Sequence, residues 1–200
     1  SDLWRCYWNY GTGVVGDLMS HEVDFVHALL RLGIPDTAVT KADNNMLFDG
    51  RDCPDTWHTV FHYEKKNCTV VFNCSLNSAF VQPPDFRGKE GKLIFDTIAQ
   101  GVNTFSVYPD KKSAKYREEL DSGDISQDKP FLKFDPRKTE KQPSHMQNFF
   151  DCVRSREKPK CNEDEAYIET TTIVMAVESF MKKREVRWND QKQDVEVHSA

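Results

Sequence analysis

The chain has 200 residues, of which 38% are hydrophobic, 12% aromatic and 30% charged, and a formal charge of −5. That length can bury a full core, and the acidic balance argues against nucleic acid or an acidic membrane as a partner, since either would want a basic face. No apolar run approaches the ~20 residues of a membrane helix; the longest clean one runs from Ile173 to Val177.

The opening "SDLWRCYW" has no basic region followed by an apolar stretch, so it does not read as a secretory signal. It also lacks a Met, and a processed product or fragment is expected. Cysteines stand at positions 6, 53, 68, 74, 152 and 161 with no C-x-x-C pair, so no metal site is expected. Cys68 and Cys74 fall on one predicted strand, ~20 Å apart and too far for a disulfide. Free thiols in a reducing, cytoplasmic setting are the expectation. Asn67-Cys-Thr69 and Asn73-Cys-Ser75 match the glycosylation acceptor pattern, which is short and common by chance.

Along the chain, Val14 to Leu32 reads as a helix. Val14, Leu18, Phe25 and Leu29 recur near the helical period, and Gly33 and Pro35 follow as C-cap and breaker. The period then changes to two. Strands are predicted at Thr37–Phe48, Thr56–Tyr63 and Cys68–Leu76, the last two joined by the hairpin loop "EKKN". Ala79–Phe86 and Lys92–Asp96 follow, with Gly88 and Gly91 punctuating "RGKEG" between them, and Thr104–Tyr108 is one more. Lys111 to Gln142 is polar and weakly periodic, as a surface excursion with short turns would be. Two helices are expected to close the chain. Ser144-x-x-Gln147 and Asn162-x-x-Glu165 are capping boxes, Ile168–Met181 is helical, and Lys182, Lys183 and Arg184 suit its C-terminal dipole. Strands grouped together mean α+β: an open, mainly antiparallel sheet with helices packed on one face.

Gly11, Gly13 and Gly16 spell G-x-G-x-x-G. A dinucleotide cradle needs a buried apolar strand before the glycines and a βαβ unit around them. "LWRCYWNY" is aromatic and polar instead. The glycines are better suited to turning a loop sharply into the helix or letting backbone approach a ligand.

Asp17, His21 and Asp24 fall at i, i+4 and i+7, one stripe of that helix. The stripe fits a solvated helix face. It equally fits a general base, with the Asp17 carboxylate orienting His21 and raising its basicity. Trp8, Tyr10 and Thr12 read either as a packed aromatic segment or as a wall and hydroxyl contacts for a sugar ring. Asp24 reads as a supporting or solvated residue. His58 and His62 share a strand face ~13 Å apart, too far to ligate one metal, and His145 lies in the first turn of a helix.

"WNYGTGVVGDLMSHEVDF" resembles the start of the C-terminal domain of the glucose–fructose oxidoreductase / inositol dehydrogenase (Gfo/Idh/MocA) family. "DGRDCPDTWHTVFHYEKKNCTVVFNCS" is similar to its paired strands, "FRGKEGKLIF" to its glycine hairpin, and "HMQNFFDCVRSREKPKCNEDEAYIETTTIVMAVESF" to its closing helices. The resemblance implies one substrate and catalytic domain over residues 1–200, of the dihydrodipicolinate-reductase-like C-terminal type, with residues 111–142 as an excursion. It implies that an N-terminal Rossmann domain, not represented in this sequence, holds NAD or NADP and supplies an assisting lysine. His21 would then take the hydroxyl proton of a sugar or polyol while hydride leaves for the nicotinamide, and Asp17 would orient it. Trp8, Tyr10, Thr12 and Asp24 would contribute to the substrate pocket. The chain alone is expected to bind no cofactor tightly, and copies are expected to associate through the sheet face. Two alternatives share the resemblance: an NAD-dependent glycoside hydrolase, and a non-catalytic sugar-binding or assembly module.

Overall fold

The computed structural model describes residues 2–76, 78, 83–99, 102–135, 138 and 144–197. They form two compact units, one from residues 1–79 with 156–200 and one from 80–155.

In the first unit a 3-10 turn at Asp2–Cys6 leads to a π turn at Val15–Met19, continued by α1 (Ser20–Leu30). Strands β1 (Thr37–Asp43), β2 (Thr56–Tyr63) and β3 (Cys68–Ser75) follow. The unit resumes with α4 (Glu163–Lys182) and the strands β8 (Val186–Asn189) and β9 (Asp194–Val197). The strands form one antiparallel sheet in the order β3-β2-β1-β8-β9.

Alternation decides the faces. Along β2, Trp57, Thr59, Phe61 and Tyr63 are buried while His58, Val60 and His62 are exposed. Ala38, Ala42, Phe72, Val186 and Val195 join the buried side, where Val15, Met19 and Val23 of the N-terminal helical turns and Met175 and Ala176 of α4 cover them. Each large side chain removed from water there contributes roughly 1.5–3 kcal/mol. Ser179 on α4 accepts the Thr40 backbone N–H at 2.9 Å and donates to the Arg184 carbonyl at 2.7 Å. It supplies β1 with a partner beyond Ala38, where the β8 pairing stops.

The opposite face is open. Register sets Val39, Val60 and Val71 in one row, Lys41, His58 and Asn73 in the next, and Thr37, His62 and Thr69 on the other side. His58 Nδ1 lies 3.0 Å from Asn73 Oδ1 and His62 Nδ1 3.2 Å from Thr69 Oγ1, so both histidines are sheet-surface residues.

The second unit is an antiparallel sheet in the order β4-β5-β6-β7, made of β4 (Asp85–Gly88), β5 (Gly91–Ala99), β6 (Val102–Pro109) and β7 (Leu132–Phe134). Phe86, Phe95, Phe105 and Phe134 form a ladder across its strands, with successive ring centroids 6.0, 6.0 and 4.8 Å apart. A short helix, α2 (Arg117–Ser122), precedes β7, and α3 (His145–Ser155) follows it.

The α+β class and the helix-on-one-face layering of the first unit are as expected. Several details differ. The strands divide into two sheets. The 111–142 excursion contributes a sheet strand, because Leu132 and Phe134 pair with Val107 and Phe105; its residues 136–137 and 139–142 lie outside the described residues, as does 79–82 of the expected Ala79–Phe86 strand. A hairpin, not a helix, closes the first unit, and the Trp188 N–H donates to the Asp36 carbonyl at 3.0 Å. The first helix stops at Leu30, and Arg31 rather than Gly33 takes the left-handed capping position, with φ 51°.

Candidate functional site

The stretch carrying the glycines and the Asp17–Asp24 stripe is fixed from below by the loop between β1 and β2. At the root of that loop sits Asp55, fully buried. Burial alone would raise its carboxyl. The backbone N–H groups of Leu47, Met46 and Asn45, at 2.7, 3.0 and 3.1 Å, and the Thr56 hydroxyl at 2.8 Å outweigh burial and hold it well below the usual carboxylate range. Asn44 Oδ1 in turn accepts the Asp55 N–H at 3.0 Å.

The N-terminal segment lies along the far side of this loop. The Cys6 carbonyl accepts the N–H groups of Asp52 and Cys53 at 3.3 and 3.0 Å. The Trp8 N–H donates to the Asp52 carboxylate at 2.8 Å, and its indole N–H to the Asp52 carbonyl at 3.0 Å. The Trp8 ring stacks on Phe180 of α4 with centroids 5.8 Å apart. The glycines are then explained by crowding. Gly13 has φ 60°, and a Cβ there would stand 2.7 Å from the Cys53 Cβ. A Cβ on Gly16 would collide with the Thr12 hydroxyl, and one on Gly11 would press on the Arg5 backbone. The Gly13 N–H donates to the Arg5 carbonyl at 3.0 Å and the Asp17 N–H to the Gly13 carbonyl at 3.2 Å. A pyrophosphate needs such N–H groups unengaged and a preceding strand; this loop, entered from a 3-10 turn, fits no dinucleotide.

The predicted site residues separate into groups. His21 is exposed on the first turn of α1, beside Glu22, whose carboxyl is raised by burial and lowered by the His21 charge. Asp17, in the π turn, is half exposed and bound to Arg5 (Nη1 to Oδ2, 2.7 Å). No hydrogen bond joins Asp17 to His21 among the described residues. Tyr10 is 70% exposed, whereas Trp8 is engaged with Asp52 and Phe180 and the Thr12 hydroxyl stands against Gly16. Asp24 lies near Glu169 of α4, close enough for their carboxyls to interact. Burial, the neighbouring Asp24 carboxyl and the charge of Glu165 raise Glu169 to about 7.

Sequence reasoning missed Arg5, Glu169 and His27. His27 is buried, with Nε2 3.3 Å from the Tyr63 hydroxyl and Nδ1 without a hydrogen-bond partner among the described residues. Burial lowers its pKa against the pull of Glu165 and Asp24. Of the histidines of α1, His27 thus belongs to packing and His21 faces solvent. Among the described residues no three His, Cys, Asp or Glu side chains are placed to hold a metal, and no helix is long and apolar enough to cross a membrane.

The first unit thus presents an antiparallel sheet backed by α4, with a glycine-bent segment leading to an exposed His21 and a half-exposed Asp17. The profile "Oxidoreductase family, C-terminal alpha/beta domain" matches residues 2–188, and the chain belongs to that family, Gfo/Idh/MocA. Solved structures show the same fold. An NAD-binding protein from Listeria innocua is 17% identical with a TM-score of 0.62, covering 92% of this chain and 50% of its own. An oxidoreductase from Agrobacterium radiobacter in complex with NAD+, L-tartaric acid and magnesium is 16% identical with a TM-score of 0.57, covering 92% and 51%. The WlbA dehydrogenase from Bordetella pertussis in complex with NADH and UDP-GlcNAcA is 13% identical with a TM-score of 0.56, covering 93% and 49%. The chain spans about half the length of these proteins. No curated protein matches the sequence.

The Asp24–Glu169 pair yields a pH test. Glu169 binds its proton more tightly in the folded chain than at its ordinary value of 4.5, with a folded value of about 7. Its contribution is therefore complete below the ordinary value and is lost as pH rises through the folded value. Urea unfolding at pH 5 and pH 8 is expected to show stability declining with pH, and Glu169→Gln to flatten that decline. An unchanged slope in the variant would contradict the raised Glu169 carboxyl.

Proposed function

We propose that this chain is the substrate-binding and catalytic half of an NAD(P)-dependent oxidoreductase that acts on a sugar or polyol hydroxyl. The observation that carries the reading is His21: an exposed imidazole, one helical turn after an anchored carboxylate, on the element that the glycine segment fixes. Support for the substrate class comes from the solved relatives, which hold a hydroxy acid or a nucleotide sugar beside NAD+ or NADH.

In this reading His21 accepts the proton of the substrate hydroxyl. Asp17, held by Arg5, places a negative charge one turn away and favours the imidazolium that proton transfer creates. Tyr10 offers ring and hydroxyl to the sugar, with Trp8 and Thr12 shaping the segment beneath it and Asp24 supporting α1 through Glu169. Hydride acceptance belongs to a nicotinamide, which this reading assigns to a further domain. Copies are proposed to associate through the open sheet face, where the exposed valines 39, 60 and 71 form an apolar row.

In the full-length protein, His21→Asn is expected to lower kcat for substrate-dependent NAD(P)H formation by roughly 10²- to 10⁴-fold with unchanged circular dichroism. Unaltered turnover would remove His21 as the base. Val60→Asp is expected to shift sedimentation toward the monomer, and an unshifted oligomer would place the interface elsewhere.

A further inference from the structure

We propose that Cys6 and Cys53 are a redox-responsive pair that closes to a disulfide under oxidising conditions and staples the N-terminal segment to the β1–β2 loop. The two residues lie far apart in sequence, yet the Cys53 N–H donates to the Cys6 carbonyl at 3.0 Å. Residues joined by a backbone hydrogen bond have Cα atoms roughly 5–6 Å apart, within the span a disulfide bridges. The thiols are also close enough for their charges to interact. Gly13 sits against the Cys53 side chain, and a Cβ there would stand 3.5 Å from its sulfur, so the glycine leaves room beside that sulfur. The remaining cysteines include Cys68 and Cys74 on one strand, whose spacing forbids a bridge between them.

The two sulfurs have different roles. Cys53 is buried, and burial with the neighbouring Asp52 charge pushes its thiol up to about 12. Cys6 is half buried, the more accessible of the two thiols. Cys6 is therefore the entry point. With a low-molecular-weight disulfide as oxidant, the Cys6 thiolate attacks one of its sulfurs and expels a first thiolate. The Cys53 thiolate then attacks the Cys6 sulfur and expels the second. Two protein thiols are oxidised, one external disulfide is reduced to two thiols, and those thiols take up the two protons. Closure of the second step follows the Cys53 thiolate fraction, so its rate rises about tenfold per pH unit near neutrality. The bridge would fix the segment that runs from Cys6 through Gly13 to Asp17.

Incubation of the folded protein with glutathione disulfide, followed by alkylation and peptide mapping, tests the pair. A cross-linked peptide joining Cys6 to Cys53 is expected, with a mass lower by two hydrogens and a Tm higher by roughly 10 °C. Cys6→Ser is expected to abolish both changes. Recovery of Cys6 only as a glutathione adduct, separate alkylation of both residues, or pairing of either with another cysteine would overturn the proposal. The wild-type map decides the matter even if Cys53→Ser fails to fold.

Discussion

The candidate site depends on one buried carboxylate. Asp55 gathers three backbone N–H groups and a hydroxyl around itself and so gives the β1–β2 loop a single conformation. A loop without such a centre would lose these hydrogen bonds to a charged acceptor, each worth about 1.5–3 kcal/mol. With the loop fixed, Asp52 and Cys53 present the donors and acceptors that Cys6 and Trp8 meet. The segment thus aligned must then turn through Gly13, where its backbone passes against Cys53. That turn sets where the π turn begins and which side chains α1 shows to solvent. The path runs from a carboxylate on one strand edge to a histidine on another element through hydrogen bonds and one steric constraint.

The same chain of contacts assigns different jobs to neighbouring polar residues of α1. His27 is enclosed beside Tyr63 and serves packing. Asp24 faces Glu169 across the α1–α4 contact. Asp17 and His21 remain at the solvent-facing start of the helical run. The family to which the chain belongs joins such a domain to oxidoreductase chemistry, and this chain spans about half the length of its solved relatives.

Much of the first unit was legible because its elements obey local rules. Strand β2 alternates buried and exposed residues along its whole predicted length, and the Asn162 side chain caps α4 through the N–H groups of Asp164 and Glu165. The turn at "EKKN" was legible because Asn67 tolerates the left-handed backbone that closes it, with φ 47°. What escaped was set by distant partners. The hairpin of β8 and β9 is short and mostly polar, and it becomes a sheet extension only because β1 offers an edge. Arg5 reaches Asp17 across twelve residues, and Glu169 meets Asp24 across two helices, so helical spacing could mark the stripe but not its partners. The glycine triplet resembles a dinucleotide fingerprint in spacing alone, and what fixes its glycines, Arg5, Cys53 and Thr12, was not visible in the spacing.

The dependence of the site on Asp55 is open to one direct measurement, residue-resolved amide hydrogen exchange in Asp55→Ala. Amides of Asn45, Met46 and Leu47 lose their acceptor outright. The account predicts that those of Trp8, Gly13 and Cys53 also exchange at least about tenfold faster, while the β2–β3 amides keep their protection and show that the sheet is folded. Faster exchange confined to residues 45–47, with Trp8 and Gly13 unchanged, would contradict it.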